Sequence, residues 1–250
     1  HPGARSAKVS PMSGELEVRN TGKTWTFTLQ RAEKLNALNA ALVDCLIQGV
    51  DEAHAAGARL LVFRGAGKSF CAGFDLGEFE HQSEGDLLLR FVRIELLLQA
   101  IANSPAQTLA LAHGKVFGAG VDLFAACKQR IAAPDSIFRM PGLKFGLVLG
   151  TRRFGEIVGP EKAREILEDT SAFTAQQALA MNFARALAPQ EDWGQAIEAA
   201  IAKSEALDDI TRAELYRVLN RPQDEADLAN LVRSAARQGI HNRLRQYLGK

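Results

Sequence analysis

Cysteine is scarce and scattered in this chain: Cys45, Cys71 and Cys127 are odd in number and form neither a C-x-x-C pair nor a Cys/His cluster. That pattern excludes a disulfide framework and a zinc site, so the expectation is no metal and a reducing, cytoplasmic setting. A dominant charge is also missing. Thirty Lys and Arg against 29 Asp and Glu leave a formal charge of +1, which argues against nucleic acid or a membrane surface as partner. No apolar run approaches the roughly 18 residues of a membrane span, and stretches such as Leu109-Ala-Leu-Ala112 are only strand-sized. Fixed-period repeats and long low-complexity linkers are absent too.

What is present suits a globular protein with a sizeable core: 250 residues, 47% hydrophobic and 24% charged. Residues 1–11 are rich in Pro, Gly and Ser and are expected to be a leader outside the fold, with Met12 a candidate start. Glu15–Asn20 and Thr24–Leu29 alternate with period two and read as a hairpin. Asn39 is a plausible N-cap for a helix carrying Leu42, Leu46, Val50 and Ala53 up to Gly57. A buried strand is expected over Arg59–Arg64, a long helix over Glu84–Ala102, a strand over Gln107–His113, a short helix over Val121–Cys127 and a strand over Arg130–Ala133. Beyond residue 150 the pattern turns helical: 162–168, 175–181, 193–207, 210–219, 226–237 and 242–248. The chain therefore reads as α/β, a core over residues 12–190 and a C-terminal helical region over 191–250.

Two glycine-containing turns carry the chemistry, Phe70-Cys-Ala-Gly-Phe-Asp75 and Phe117-Gly-Ala-Gly-Val-Asp122. A strand that ends in small residues and turns into a helix leaves the first helical N–H groups unpaired, and such a terminus attracts negative charge. Two of these turns from separate strands could converge on one oxygen. From glycine content alone, ordinary strand-to-helix turns are the better account of them, because glycine is the common residue of any tight turn. Gly65-Ala-Gly-Lys-Ser69 has the ending of a phosphate-binding loop, but its required first glycine is Val62 and no helix follows Ser69.

Arg31-Ala-Glu-Lys-Leu-Asn-Ala-Leu-Asn39, Ser69-Phe-Cys-Ala-Gly-Phe-Asp-Leu76, His113-Gly-Lys-Val-Phe-Gly-Ala-Gly-Val-Asp-Leu123 and Phe138-Arg-Met-Pro-Gly-Leu-Lys-Phe-Gly146 occur in that order. In wording and spacing they resemble the crotonase (enoyl-CoA hydratase/isomerase) superfamily, from about Gly14 to the C-terminus. The resemblance implies a ββα-spiral core, trimers or dimers of trimers, acyl-CoA substrates and no cofactor beyond that CoA. It also implies an enzyme that stabilises a thioester enolate in an oxyanion hole formed by the N–H groups of Phe74 and Ala119. Ala72, Phe74, Asp75, Leu76 and Gly77 would line the thioester and pantetheine, and Arg31, Lys34 and Leu35 would lie near the adenine end of CoA.

Hydratases of this family use two glutamates. Here the first position is Asp122, shorter by one C–C bond, roughly 1.5 Å, and the second is Gly142, without a side chain. Besides two-acid hydration, Asp122 could therefore work as the only acid/base in an isomerase, decarboxylase or C–C hydrolase, or the chain could bind acyl-CoA without turnover. Glu78, Glu80 and His81 are reserve candidates for a second acid. His113 reads as a residue making a structural hydrogen bond, and Tyr216, His241 and Tyr247 read as packing or subunit-contact residues. Arg152 and Arg153, at a helix start, read as capping or ion-pairing groups or as holders of a carboxylated acyl group.

Overall fold

The computed structural model describes residues 7–9 and 14–250. The expected leader falls mostly outside the described residues; Ala7–Val9 (β1) pairs antiparallel with Leu16–Thr21 (β2). β2 and Thr24–Leu29 (β3) form the expected hairpin, with Leu16 opposite Leu29 and Thr21 opposite Thr24. Its alternating residues Leu16, Val18, Trp25, Phe27 and Leu29 are buried, which fixes the register. The Asn39 side chain accepts from Leu42 N at 2.8 Å and starts Ala40–Ala55 (α1).

Leu60–Gly65 (β4) then runs parallel to β3. Glu84–Ala102 (α2) opens with a reciprocal capping box between Ser83 and Asp86. Gln107–Ala112 (β5), buried at all six positions, lies parallel to β4. At Gly114 the chain leaves this sheet to make Lys115–Phe117 (β6), then turns into Ala119–Ala126 (α3) and returns as Gln129–Ala132 (β7) beside β5.

The remaining elements are Ile137–Arg139 (β8), Thr151–Val158 (α4), Pro160–Asp169 (α5), Phe173–Thr174 (β9), Ala175–Ala180 (α6), Ala186–Leu187 (β10), Trp193–Glu205 (α7), Asp209–Asn220 (α8), Asp224–Ala236 (α9) and Ile240–Tyr247 (α10). The main sheet runs β1-β2-β3-β4-β5-β7-β10 and a smaller one runs β6-β8-β9.

The smaller sheet departs from the sequence expectation, and β9 and β10 lie in a stretch read as helical. Strands of two or three residues are too short to display an alternation, so periodicity cannot register them. The small sheet nevertheless matters for the site. β6 pairs with β8, and the Gly118 N–H donates to Arg139 O at 2.8 Å, so the second turn is held from both sides. Below it Phe124, Phe138, Phe154, Phe173 and Phe183 pack ring against ring, centroids 5.1–6.1 Å apart, anchoring α3 and α4 to the small sheet.

Candidate active site

The two glycine turns interlock. Cys71 N donates to Lys115 O at 3.3 Å and Phe117 N to Cys71 O at 2.9 Å, a short parallel bridge between the turns. A Cβ on Gly73, which has φ +88°, would lie 2.6 Å from Phe117 O and 3.2 Å from Ala119 N; one on Gly120 would overlap Cys71 O. Only glycine lets the backbones approach this closely. The first turn is steadied by the 31–38 loop, through Ala72 N to Leu35 O at 2.9 Å, Leu38 N to Gly73 O at 2.7 Å and Asp75 N to Leu38 O at 3.0 Å.

Within this lattice the N–H groups of Phe74 and Ala119 have no hydrogen-bond partner among the described residues. Ala119 is the first residue of α3, where an unpaired N–H is intrinsic to the helix. Both residues line one cavity of about 130 Å³, with Ala72, Leu76, Phe91, Met140, Leu147 and other mostly apolar side chains.

Asp122 also lines that cavity and is its only carboxylate among the described residues. α3 is buried along its whole length, so the sequence places an acid inside an otherwise apolar helix. Its Oδ1 is buried without a hydrogen-bond partner, pressed against Gly150, where any Cβ would overlap it. Burial pushes the Asp122 carboxyl well above the usual carboxylate range, with Arg153 opposing the rise and Glu95 adding to it. Gly142 lines the same cavity, and a Cβ there would meet nothing nearer than Leu147 O at 3.5 Å.

The other sequence candidates are spread more widely. Arg31 is buried and engaged inside the protein, with Asp75 at 3.0 Å, Glu15 at 3.4 Å and Ala37 O at 2.5 Å, so its guanidinium braces the turn. The Gly77 N–H and Arg31 hold the Asp75 carboxyl below its usual range even though partial burial pushes the other way. Lys34 and Gly77 are exposed, and Leu35 is half-buried in a left-handed conformation, φ 51°. Glu78, Glu80 and His81 are exposed and none lines the cavity; Glu80 faces Arg245 at 3.4 Å.

His113 is tied to Gly67 O at 2.7 Å and packs edge-on against Trp193. His241 Nε2 lies 2.6 Å from Gln82 O, Tyr247 joins the cavity wall, and Tyr216 packs under the Lys128 ammonium. Sequence reasoning missed Arg90. Its guanidinium lies 3.8 Å over the Phe74 ring and donates to Leu38 O and Asp75 O, fixing the first turn from α2. An arginine on an amphipathic helix gives no signal of that role.

Residues 21–237 match the family model for enoyl-CoA hydratase/isomerase. The chain belongs to the enoyl-CoA hydratase/isomerase family. It is 36% identical to a protein named as a probable enoyl-CoA hydratase of Mycobacterium bovis, over 71% of this chain and 72% of that protein. The crystal structure of a candidate enoyl-CoA hydratase/isomerase from Bordetella parapertussis superposes with a TM-score of 0.94 at 57% identity, covering 95% of this chain and 100% of that one. A Thermobifida fusca protein crystallised with acetoacetyl-CoA shares the fold, with a TM-score of 0.75 at 21% identity, over 93% and 95% of the two chains. Family membership makes this an acyl-CoA thioester-processing enzyme of the α/β crotonase type.

Proposed function

We propose that the protein isomerises the double bond of an enoyl-CoA thioester by moving one proton with one carboxylate. The observation that carries this reading is the cavity's inventory: two unpaired N–H groups, Phe74 and Ala119, and a single acid, Asp122. Hydration needs a group to activate water and a second group to place its proton, and the cavity offers no second carboxylate. A double-bond shift needs one group that takes a proton and returns it elsewhere.

In a 3-enoyl thioester, ionised Asp122 takes the proton from Cα, and the C–H electron pair moves onto the thioester carbonyl. The oxygen gains charge where the N–H groups of Phe74 and Ala119 meet it, and each such donor is typically worth about 2.7–4 kcal/mol of barrier. Asp122 then returns the proton to Cγ, leaving the conjugated 2-enoyl thioester. A carboxyl held above its usual range is the stronger base once ionised, which suits abstraction of a weakly acidic C–H.

Ala72, Leu76 and Phe74 are the wall along which the acyl thioester and pantetheine run, with Lys34 and Leu35 toward the nucleotide end. No cofactor beyond the substrate's CoA enters the scheme. The subunits assemble as a trimer or a dimer of trimers, a reading supported by the family resemblance and by the exposed Ile210, Val218 and Leu219 of α8.

Purified protein is given short and medium 3-enoyl-CoA thioesters in D2O. The expected result is growth of conjugated-thioester absorbance, with the Cα proton recovered at Cγ rather than replaced by deuterium, since the buried Asp122 returns the proton it took. Thioester binding without that absorbance would make the chain a binding protein. Loss of absorbance from 2-enoyl-CoA would restore hydration.

A further inference from the structure

Beneath the cavity lies a second layer of charge that the reaction scheme does not use. Arg153, on α4, donates from Nη2 to both oxygens of Glu95 on α2, at 2.5 and 2.6 Å, and lies 3.9 Å from Asp227 on α9. Glu95 is 1% exposed, so this pair is sealed from water. The opposite edge of the same guanidinium is unfinished: Arg153 Nη1 is buried without an acceptor. Asp122 Oδ1 is buried without a donor, packed on Gly150, the residue that caps α4 three positions before Arg153. A donor and an acceptor of opposite charge, both orphaned on packed neighbours α3 and α4, are each costly alone.

We infer that Arg153, held from behind by Glu95, is the positioning charge that governs when Asp122 gives up and takes back its proton. The inference rests on the reading of Asp122 as the proton-moving group. Arg153 favours ionised Asp122, while Glu95 disfavours it and also holds Arg153 away, so one ion pair adjusts the acid from behind. Other charges facing α3 are engaged elsewhere. Arg152 is turned to Asp227 and Glu156, and α2's Arg90 is bound to Leu38 O, Asp75 O and Gln82. β5 carries no ionisable side chain, and on β6 the exposed Lys115 lies over the Phe117 ring.

The test follows two readouts against pH in the full-length protein: the acid limb of isomerase activity, and the infrared carbonyl band of protonated Asp122, assigned by its loss in Asp122→Asn. Glu95→Gln is expected to lower both midpoints by on the order of one pH unit, and Arg153→Met to raise them by a similar amount. Arg153→Lys, which keeps the charge, is expected to stay closer to the parent than Arg153→Met. A merely structural ion pair would lower activity or melting temperature while leaving both midpoints in place, and that result overturns the inference. If Arg153→Met does not fold, Glu95→Gln alone decides. An infrared midpoint that moves while the activity limb stays fixed would keep Arg153 as the charge acting on Asp122 and remove Asp122 from the chemistry.

Discussion

At the scale of single residues, Asp122 sets function against stability. Its folded pKa lies above the unfolded value of about 3.9. Between those two values the native state keeps a proton that the unfolded chain has released. Stability is therefore greatest below the unfolded value and falls as pH rises toward the folded one, by about 1.4 kcal/mol for each unit of separation. Asp122→Asn removes that penalty. It is expected to cost about 10²–10⁴-fold in rate, yet to melt higher than the parent, with a gap that widens between pH 5 and pH 8. Thermal unfolding at the two pH values checks it, and an equal gap at both would mean that Asp122 ionises freely.

Gly142 is the complementary case, since it lines the cavity and a Cβ there would make only ordinary contact with Leu147, at 3.5 Å or more. Gly142→Glu is expected to introduce hydration of 2-enoyl-CoA where the parent has little, by about 10²-fold if the new acid reaches the water. An unchanged rate with intact folding would show that this position does not supply the second acid.

At the scale of elements, the long pieces were legible and the short ones were not. Asn39 announced α1, Ser83 lay unread before an α2 whose bounds the periodicity nevertheless found, and the burial alternation of β2 and β3 was plain. The two turns could be located but not interpreted from glycine alone, because their meaning lies in the contact between them. Gly73 and Gly120 are glycines because another backbone occupies the Cβ position, and that neighbour is some 45 residues away in the chain. The roles of Arg90 and Gly150 were hidden for the same reason, each being defined by a distant partner, and Arg153 was legible as an ion-pairing group while its partner Glu95 was not.

Gly120→Ala is expected to force the turns apart, destabilising by at least about 1–3 kcal/mol from overpacking and cutting turnover more than substrate binding. Gly194→Ala, in the first turn of α7 with open space around it, is the control. It is expected to be neutral or to gain about 0.4–1 kcal/mol. Urea midpoints of the two variants compare them directly.

At the scale of the molecule, the change from α/β to helical pattern suggests two units, but the contacts across it are of the kind that unfold together. Arg152 makes a bidentate pair with the largely buried Asp227 of α9, at 2.7 and 2.8 Å. Gln99 on α2 donates to Asp224 O, Val148 N to Ser234 Oγ, and Arg243 to Phe145 O at the cavity wall. Leu231, Ala235, Ile240 and Leu244 share one buried cluster with Phe79, Leu87 and Phe91, so α9 and α10 complete the packing around the first turn.

Trp25 on β3 is buried in the main sheet and, with Trp193→Phe removing the tryptophan that opens α7, reports on that sheet by fluorescence, whereas far-ultraviolet circular dichroism is dominated by the helices. The expectation is one transition, with the two signals coincident in denaturant. Arg152→Met leaves the buried Asp227 carboxylate with only the more distant Arg153, and is expected to cost about 1–3 kcal/mol, because the Arg152 half of the pair is partly open to solvent. If the helices are integral to the core, both signals shift together to lower denaturant. A dichroism transition that separates from the fluorescence one would instead make residues 191–250 an independently folding region, and the cavity wall that Tyr247 completes would then open before the sheet is lost.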